Sequence, residues 1–385
     1  MTGLTVTACG GGGSSSSSGE AATESSSEGS GEGASEEGSE EGSGEADIAY
    51  AEAQVKKFSA IPKFPNLPPV PAKETAGQKA SLIPFSTAVP FIAQATDAAA
   101  EGLEQAGVSV QQYPSQGELS QIQQAFGNSI SSGAKSIGLF SVSPETVGPQ
   151  LTAADSAGIP VVLGHITPKG YPLAPHAAAQ TPGPFYESGR LMADYVIANS
   201  KADADVLIVT SNEQLPARGT VKAIEEEFQE RCGEGCSTTV VNVPIADWAQ
   251  KLQSQTQSSL VSDPNINYII PLYDSGVQFI LPGITAAGAT GRVKIVTFNG
   301  TPFVLNYIRE GETVIADIGE STRWLGRALA DQMFRVMTGT KPVEEETPMR
   351  IFDKSNVEEA GVPAKLGEGY GSADVTGYNK IWGVE

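Results

Sequence analysis

Short β-branched segments alternate with longer segments of helical hydrophobic pattern from about residue 80 onward. The first set of predicted strands covers 80–85, 108–113, 136–140 and 159–163, and the helices between them cover 90–106, 116–132 and 144–157. The second set of predicted strands covers 206–209, 239–243, 268–270 and 293–296. Strands and helices that alternate at this spacing predict parallel sheets covered by helices on both faces.

The two sets of strands are divided near Pro182-Gly183-Pro184. This division predicts an α/β fold of two Rossmann-like lobes with a cleft between them, and about 300 residues are enough for two lobes of ordinary size. Ligands of such sheets bind beyond the carboxyl ends of the strands. The cleft is therefore the predicted binding site. The sequence contains no uninterrupted apolar run of membrane-spanning length.

The N-terminal part of the chain has a different composition. Residues 10–47 contain Gly, Ser, Glu, Ala, Thr and one Asp, without Lys, Arg or a large apolar residue, and they supply about half of the net charge of −21. We expect a disordered acidic tether, since nothing in it offsets the entropy of ordering. Solvation of a spacer explains the acidic run, and specific cation binding is the alternative. Residues 48–79 follow as a connector, stiffened by the prolines of 61–71.

The charge distribution also excludes one class of function. The rest of the chain is only mildly acidic once the tether is set aside. A nucleic-acid surface needs clustered Lys and Arg, so no nucleic-acid partner is expected.

A cysteine near the start stands in a recognisable context. Val6-Thr7-Ala8-Cys9, followed by glycines and serines, resembles the bacterial lipobox, in which the cysteine becomes the lipidated first residue of the mature protein. Residues 1–9 then correspond to a truncated signal, because a secretory signal needs a basic segment and an apolar stretch that Met1 to Ala8 do not supply. Either the true start codon lies upstream or the signal has been removed from the sequence. The resemblance implies an extracytoplasmic protein held to the cell membrane by a lipid on Cys9.

Five local motifs resemble a known family in the same order along the chain. They are Pro90-Phe91, Ile159-Pro160-Val161-Val162, Ala217-Arg218-Gly219, Ala246-Asp247-Trp248 and Phe298-Asn299-Gly300-Thr301-Pro302. The segment from Ala80 to about Pro342 resembles a type I periplasmic binding protein of the ribose/galactose class, the substrate-binding component of an ABC importer. The resemblance implies two lobes joined by a three-strand hinge. Their expected extents are 80–183 plus about 321–346, and 184–320 plus about 347–352, with 353–385 as a C-terminal extension.

The resemblance also implies a set of binding residues. The family's pocket corresponds to Phe91, His165, Arg218, Trp248, Tyr273, Asp274, Asn299 and Glu320. Phe91 and Trp248 become aromatic walls from the two lobes, suited to a sugar ring, a nucleoside or an aromatic ligand. Arg218 offers a fixed set of donors to hydroxyls or a carboxylate. For Asp274, capping of a helix is an equal alternative to ligand binding.

Two departures from the family pattern bear on the ligand. His165-Ile166 stands where the family has Asp-Arg, and Pro184-Phe185 stands where it often has Asp or Asn. Buried polar groups discriminate strongly, since an unmatched partner costs about 1–3 kcal/mol. We therefore expect a ligand with fewer hydroxyls than ribose. A deoxy-sugar, a polyol, a nucleoside and an aromatic compound all fit.

Two further cysteines support an oxidising compartment. Cys232 and Cys236 are separated by Gly233-Glu234-Gly235, after a helix predicted at 220–230. The glycines allow the chain to turn back, so a small-loop disulfide is feasible outside the cell, and two free thiols are the alternative. Three cysteines are too few for a four-cysteine zinc site. No metal or other cofactor is expected.

The predicted function is a monomeric solute-binding lipoprotein that captures a sugar, polyol or related ligand and delivers it to an ABC transporter permease. An enzyme is not expected, because the chain offers no nucleophile–base set or phosphate loop. A sensor that presents its ligand-bound form to a membrane receptor is the alternative. The expected mechanism is hinge closure, with chain crossings near Gly183, Gly300 and 318–321.

Overall fold

The computed structural model describes residues 47–384. Cys9 and residues 10–46 of the expected tether lie outside the described residues. None of the helices between residues 47 and 384 combines the length and the apolar character that spanning a bilayer requires.

The described chain contains helices and strands in alternating order. The α-helices are α1 Ile48–Ser59, α2 Pro90–Gln105, α3 Leu119–Ser131, α4 Gly148–Ser156, α5 Phe185–Ser200, α6 Ala217–Arg231, α7 Trp248–Ser262, α8 Val277–Ala286, α9 Pro302–Glu310, α10 Thr322–Thr338 and α11 Ala373–Trp382. The strands are β1 Lys79–Pro84, β2 Ser109–Gln112, β3 Ser136–Phe140, β4 Val161–Pro168, β5 Ala179–Gly183, β6 Ala204–Thr210, β7 Cys236–Asn242, β8 Tyr268–Pro271, β9 Lys294–Asn299, β10 Val314–Glu320 and β11 Met349–Asp353.

The strands form two sheets. The first has the order β2-β1-β3-β4-β5 and is parallel throughout, and the second has the order β11-β10-β9-β8-β6-β7. In the second sheet β11 alone runs antiparallel, against β10. We call the sheets with their covering helices the first and second lobes. The prediction of an α/β fold with two mainly parallel sheets is confirmed.

The apolar character of the central strands explains why they are buried in the middle of their sheets. Every residue of β3 and β4 is buried, as expected for parallel strands covered on both faces. Helix α10 covers the first sheet beside α2, and α5 covers the second sheet beside α6. Gly326 of α10 lies so close to the α2 backbone at Ala95 and Ala99 that a Cβ atom would not fit. The absence of a side chain there lets the two helices approach.

The chain crosses between the lobes three times between β1 and β11. It leaves the first lobe after Gly183, returns after Glu320, and passes back through residues 339–348 to reach β11. The expected crossing at Gly300 is wrong, because β9 and β10 on either side of it belong to the same sheet. Gly300, with a φ of 74°, turns the chain into α9 within the second lobe.

The expected connector 48–79 packs on both lobes and is not a spacer. Ala51 of α1 is fully buried in the second lobe, against α5. Phe64 then contacts the first lobe, with its ring centroid 6.0 Å from Trp324 and 4.9 Å from Tyr378. Gly377 leaves the space that the Phe64 ring occupies. The prolines hold this segment extended, and its apolar side chains attach it to the core.

The expected extension 353–385 also belongs to both lobes. Tyr370 packs edge-on against Phe352 in the second lobe, with ring centroids 5.3 Å apart. Trp382 packs against Phe334 in the first lobe at 5.1 Å, and its Nε1 donates to Asp331 Oδ1 at 2.9 Å. The two terminal segments therefore add two connections between the lobes.

A disulfide joins the end of α6 to the start of β7. Cys232 and Cys236 are bonded through their sulfur atoms, with their Cα atoms 5.7 Å apart. Gly235 lies against the carbonyl oxygen of Ala202, where a side chain would collide. The short loop between the two cysteines therefore requires glycine at position 235.

We predict that Trp382→Ala lowers the free energy of unfolding by about 3–5 kcal/mol, the cost of truncating a buried aromatic residue. The reason is that Trp382 is 1% exposed and belongs to the core of the first lobe. Val261→Ala is the control, since Val261 is 63% exposed and surface substitutions change stability by about 0.5 kcal/mol or less. Chemical denaturation measures both. Equal stability of the two variants would contradict the role given to the C-terminal segment.

Candidate functional site

A cavity of about 580 Å³ lies between the lobes, at the carboxyl ends of the parallel strands. Residues of β4 and of the segments after β1, β2 and β3 form one side, and residues at the end of β9 and in the segments after β5, β6, β7, β8 and β9 form the other. The cavity brings together five of the eight expected binding residues: Phe91, His165, Trp248, Tyr273 and Asn299. Ile166 and Phe185, the two departures from the family pattern, also line it.

His165 forms the floor of the cavity on the first-lobe side. Its ring lies nearly parallel to Phe140 at 5.6 Å, and it contacts Phe91 and Phe185 at 5.3 and 5.0 Å. Its Nε2 lies 3.1 and 3.0 Å from the two carboxylate oxygens of Glu320. With the Glu320 carboxyl oxygens as acceptors, Nε2 is the donor in this contact. Three aromatic rings and one carboxylate thus fix the imidazole.

Glu320 lies behind the cavity rather than in it. Its side chain is buried, and besides His165 it accepts a hydrogen bond from Asn299 Nδ2 at 3.4 Å. Glu320 is not among the residues that line the cavity, because its two oxygens face the cavity-lining side chains of His165 and Asn299. Glu320 is a positioning residue for His165 and Asn299.

Asp274 also supports the site from behind. It is fully buried, and its Oδ2 accepts from the backbone N of Thr301 at 2.7 Å and from Thr301 Oγ1 at 2.6 Å. Thr301 is the residue before α9 and lines the cavity. Asp274 thus holds the residue before α9 in place, while neither α8 nor α9 has a side-chain hydrogen bond at its N-cap.

A second buried carboxyl group neighbours Asp274. Asp317 Oδ1 accepts from the backbone N of Gly300 at 3.0 Å, and both carboxyl groups are fully buried. Burial raises the pKa of Asp274 to about 7. Burial, followed by the charge of Asp274, raises the pKa of Asp317 well above its ordinary value. The two buried carboxyl groups together hold the Gly300-Thr301 turn at the cavity edge.

Trp248 lines the cavity, and its N–H group is bonded within the second lobe. It is the first residue of α7, and its Nε1 donates to Val243 O at 3.0 Å and to Ser211 Oγ at 3.1 Å. Trp248 is 9% exposed and packs in the core of the second lobe. It is thus a cavity wall and a core residue at the same time.

The structure does not bring Arg218 to the cavity. Helix α6 begins at Ala217, which is buried, and Gly219 packs against the ring of Tyr186 in α5. These two contacts turn the first helical turn toward α5 and leave Arg218 exposed. The residues before the helix, Gln214 to Pro216, line the cavity in its place.

Among the described residues that line the cavity there is a glutamate but no lysine or arginine. Glu213 lines it, with Oε1 accepting from the backbone N of Ile245 at 2.7 Å. Burial raises the pKa of the Tyr273 hydroxyl, and the carboxylates of Glu213 and Glu320 raise it further. No other described residue makes a hydrogen bond to this hydroxyl, so it is free to bind a ligand.

Sequence reasoning missed several polar residues of the cavity. These are Ser141, Ser143, Thr146, Glu213, Gln214, Ser275 and Gln278. Most of them follow a strand by a few residues, and the strands at 136–140 and 206–209 were already predicted. Because ligands bind beyond the carboxyl ends of parallel strands, the polar residues after each predicted strand were the available signal.

A family model described as a periplasmic binding protein domain matches residues 80–341, and the chain belongs to this family. A search of the curated proteins finds no match. Among solved structures, a periplasmic ribose ABC transporter from Conexibacter woesei is 20% identical, with a TM-score of 0.64 over 74% of this chain and 94% of that one.

Two solute-binding proteins solved with ligands are also similar. One is an ABC transporter solute-binding protein from Mycobacterium smegmatis with bound glycerol, 20% identical, with a TM-score of 0.64 over 76% of this chain and 98% of that one. The other is from Agrobacterium vitis with bound allitol, 17% identical, with a TM-score of 0.62 over 74% of this chain and 97% of that one. At these identities the likeness concerns the fold.

We predict that Asp317→Asn changes how stability depends on pH. The folded-state pKa values of Asp274 and Asp317 lie above the ordinary value of 3.8, so the folded protein binds the extra protons. The stabilising contribution of Asp274 is complete below about pH 4 and is lost as the pH rises through about 7. The contribution of Asp317 changes in the same direction, because its pKa is also raised well above the ordinary value. The neutral amide keeps the acceptor for Gly300 and removes one titrating group. The variant should therefore gain stability relative to the parent protein between pH 5 and pH 8.

Denaturant unfolding at a series of pH values measures this difference. Asp97→Asn serves as the matched control, since Asp97 is exposed and lies outside the pair. A difference for Asp317→Asn that stays constant with pH would show that the pair does not hold an additional proton.

Proposed function

We propose that the protein captures a small sugar-like ligand in the cavity between its lobes and delivers it to the permease of an ABC importer, acting as a monomer and without catalysis. The observation that carries this proposal is the composition of the cavity. Aromatic rings from both lobes, Phe91 and Trp248, lie with hydroxyl and amide groups such as Tyr273 and Asn299 in one volume. Membership of the periplasmic binding protein family and the similar proteins with glycerol and allitol support it.

Hinge closure is the proposed mechanism. Ligand contacts made by both lobes exist only when the lobes are close, so binding shifts the population toward the closed form. In this proposal the first lobe is 80–183 with 321–346, and the second is 184–320 with 347–352. The terminal segments then belong to the lobes on which they pack: α1 and Tyr370 to the second, Phe64 and α11 to the first.

The proposed location is outside the cytoplasm, with a lipid on Cys9 holding the protein to the cell membrane. The disulfide between Cys232 and Cys236 supports an oxidising compartment. Helix α1, the first element after the acidic tether, begins beside Arg231, whose carbonyl accepts from Asp47 N at 2.7 Å. The predicted tether therefore joins the folded chain at the second lobe.

We predict that a screen of sugars, polyols, nucleosides and aromatic compounds finds a ligand that raises the melting temperature. A ligand at about 100 times its dissociation constant stabilises the folded state by about 2.7 kcal/mol. The radius of gyration from X-ray scattering should fall when the same ligand saturates the protein. An unchanged radius at saturation would argue against closure, and a screen without any stabilising compound would argue against solute binding.

The Tyr273→Phe variant tests whether the ligand binds in the cavity, which Tyr273 lines. The substitution removes only the free hydroxyl, so affinity for the ligand found in the screen should fall about three- to tenfold, the effect of one hydrogen bond. The melting temperature without ligand should not change. Tyr307→Phe, outside the residues that line the cavity, is the matched control. Equal affinities of the two variants would place the ligand elsewhere.

We predict that Cys9 carries a lipid when the protein is produced in a bacterial host with a complete secretory signal. Full-length protein should fractionate with membranes, whereas the Cys9→Ala variant should not. Mass spectrometry of the N-terminal peptide identifies the modification directly. Recovery of both forms as equally soluble, unmodified proteins would refute the anchor and leave the fold and the binding proposal untouched.

A further inference from the structure

The cavity has two zones of different polarity. Its floor contains polar groups, the buried His165 with the half-buried Asn299 and Thr301, held by the acids behind them. Its mouth carries large apolar side chains that are substantially exposed: Phe85 at 40%, Val89 at 38%, Leu119 at 43% and Ile245 at 41%. Four of the nine exposed large apolar residues in the described chain thus lie at this one opening.

The apolar residues at the mouth are held in defined places. Phe85 directly follows β1, and its ring packs on Gly117, where the chain from β2 makes a bridge between Ser86 and Gln116. On the other lobe, the carboxylate of Glu213 fixes the backbone of Ile245 at 2.7 Å. The mouth is therefore an ordered apolar surface with one side on each lobe.

The cavity is large enough for a ligand bigger than a single sugar ring. A volume of about 580 Å³ lies within the range of roughly 300–1,000 Å³ that is typical of pockets for drug-sized ligands. Floor and mouth belong to one continuous cavity. An apolar group attached to a hydroxylated ring on the floor would therefore reach the mouth and bury its side chains.

The charges of the cavity limit what that group can be. Glu213 lines the cavity, and Glu320 lies directly behind His165, whereas the lining residues in the described chain include no lysine or arginine. An anionic substituent, such as a phosphate or carboxylate, would face repulsion without a compensating partner. The substituent must be apolar and uncharged.

We propose that the ligand is an uncharged, substituted sugar, in which a hydroxylated ring lies on the floor and an apolar ring or chain lies at the mouth between Phe85 and Leu119 of the first lobe and Ile245 of the second. This proposal rests on the proposed function, because it names the class of ligand for the same cavity. The apolar residues at the mouth select the substituent, and the polar residues of the floor select the sugar.

Matched triads of compounds test the proposal by calorimetry. Each triad contains a parent sugar, an uncharged derivative with an apolar or aromatic substituent, and an anionic derivative. We would use galactose, phenyl β-galactoside and galacturonate; glucose, phenyl β-glucoside and glucuronate; and ribose, adenosine and ribose 5-phosphate. In the triad that binds, the substituted sugar should bind at least tenfold more tightly than the parent, and the anionic member should bind more weakly than the parent.

The outcomes separate this proposal from the proposed function. A parent sugar that binds as tightly as its substituted form would overturn the inference and leave sugar binding intact. Preference for the anionic member would overturn the argument from charge. Failure of all nine compounds, together with an unsuccessful broader screen, would contradict solute binding itself and this inference with it.

Variants at the mouth provide the second arm of the test. Leu119→Ser and Ile245→Ser should reduce the ratio of the affinities for substituted and parent sugar about tenfold. Val261→Ser, which removes a more exposed apolar side chain outside the cavity, should leave the ratio unchanged. Melting temperatures without ligand verify that all three variants are folded. An unchanged ratio in the two mouth variants would show that the substituent does not lie there.

Discussion

The contact between the imidazole of His165 and the carboxylate of Glu320 connects the two sheets at the floor of the cleft. A buried carboxylate is tolerated only when donors compensate for the lost water, and here one donor comes from each lobe: His165 from the first and Asn299 from the second. Removing either donor would leave a charge poorly compensated. The floor is therefore ordered before any ligand arrives, which lowers the cost of binding.

Strained backbone accompanies this floor. His165 and Asn299 both adopt positive φ angles, 50° and 132°, which are uncommon for residues with side chains. Each is held by its hydrogen bond to Glu320, and the chain after Asn299 is held further by Asp317 and Asp274. Backbone strain that persists because the surroundings fix it is typical of binding sites. The acids behind the cavity thus act on the ligand through the residues they position.

The two sheets could be predicted from the sequence because their central strands are short apolar runs. Such runs are typical of parallel strands that are buried on both faces. The sequence was insufficient where a position depends on residues distant in the chain. Phe64 packs against Trp324 and Tyr378, and nothing in the proline-rich pattern indicates that surface. Site residues followed the same division. Phe91 stands in the first turn of a predicted helix and lines the cavity, whereas the orientation of Arg218 depends on a contact between α5 and α6.

The terminal segments make the folded structure longer than the part of the chain that matches the family. The family match ends at residues 80 and 341, but β11 completes the second sheet beyond it, and Val70 and Tyr378 lie in the core of the first lobe. A fragment cut at the family boundaries would expose that core to water and invite aggregation. In this chain, the segments before and after the family match are part of the structure that connects the two lobes.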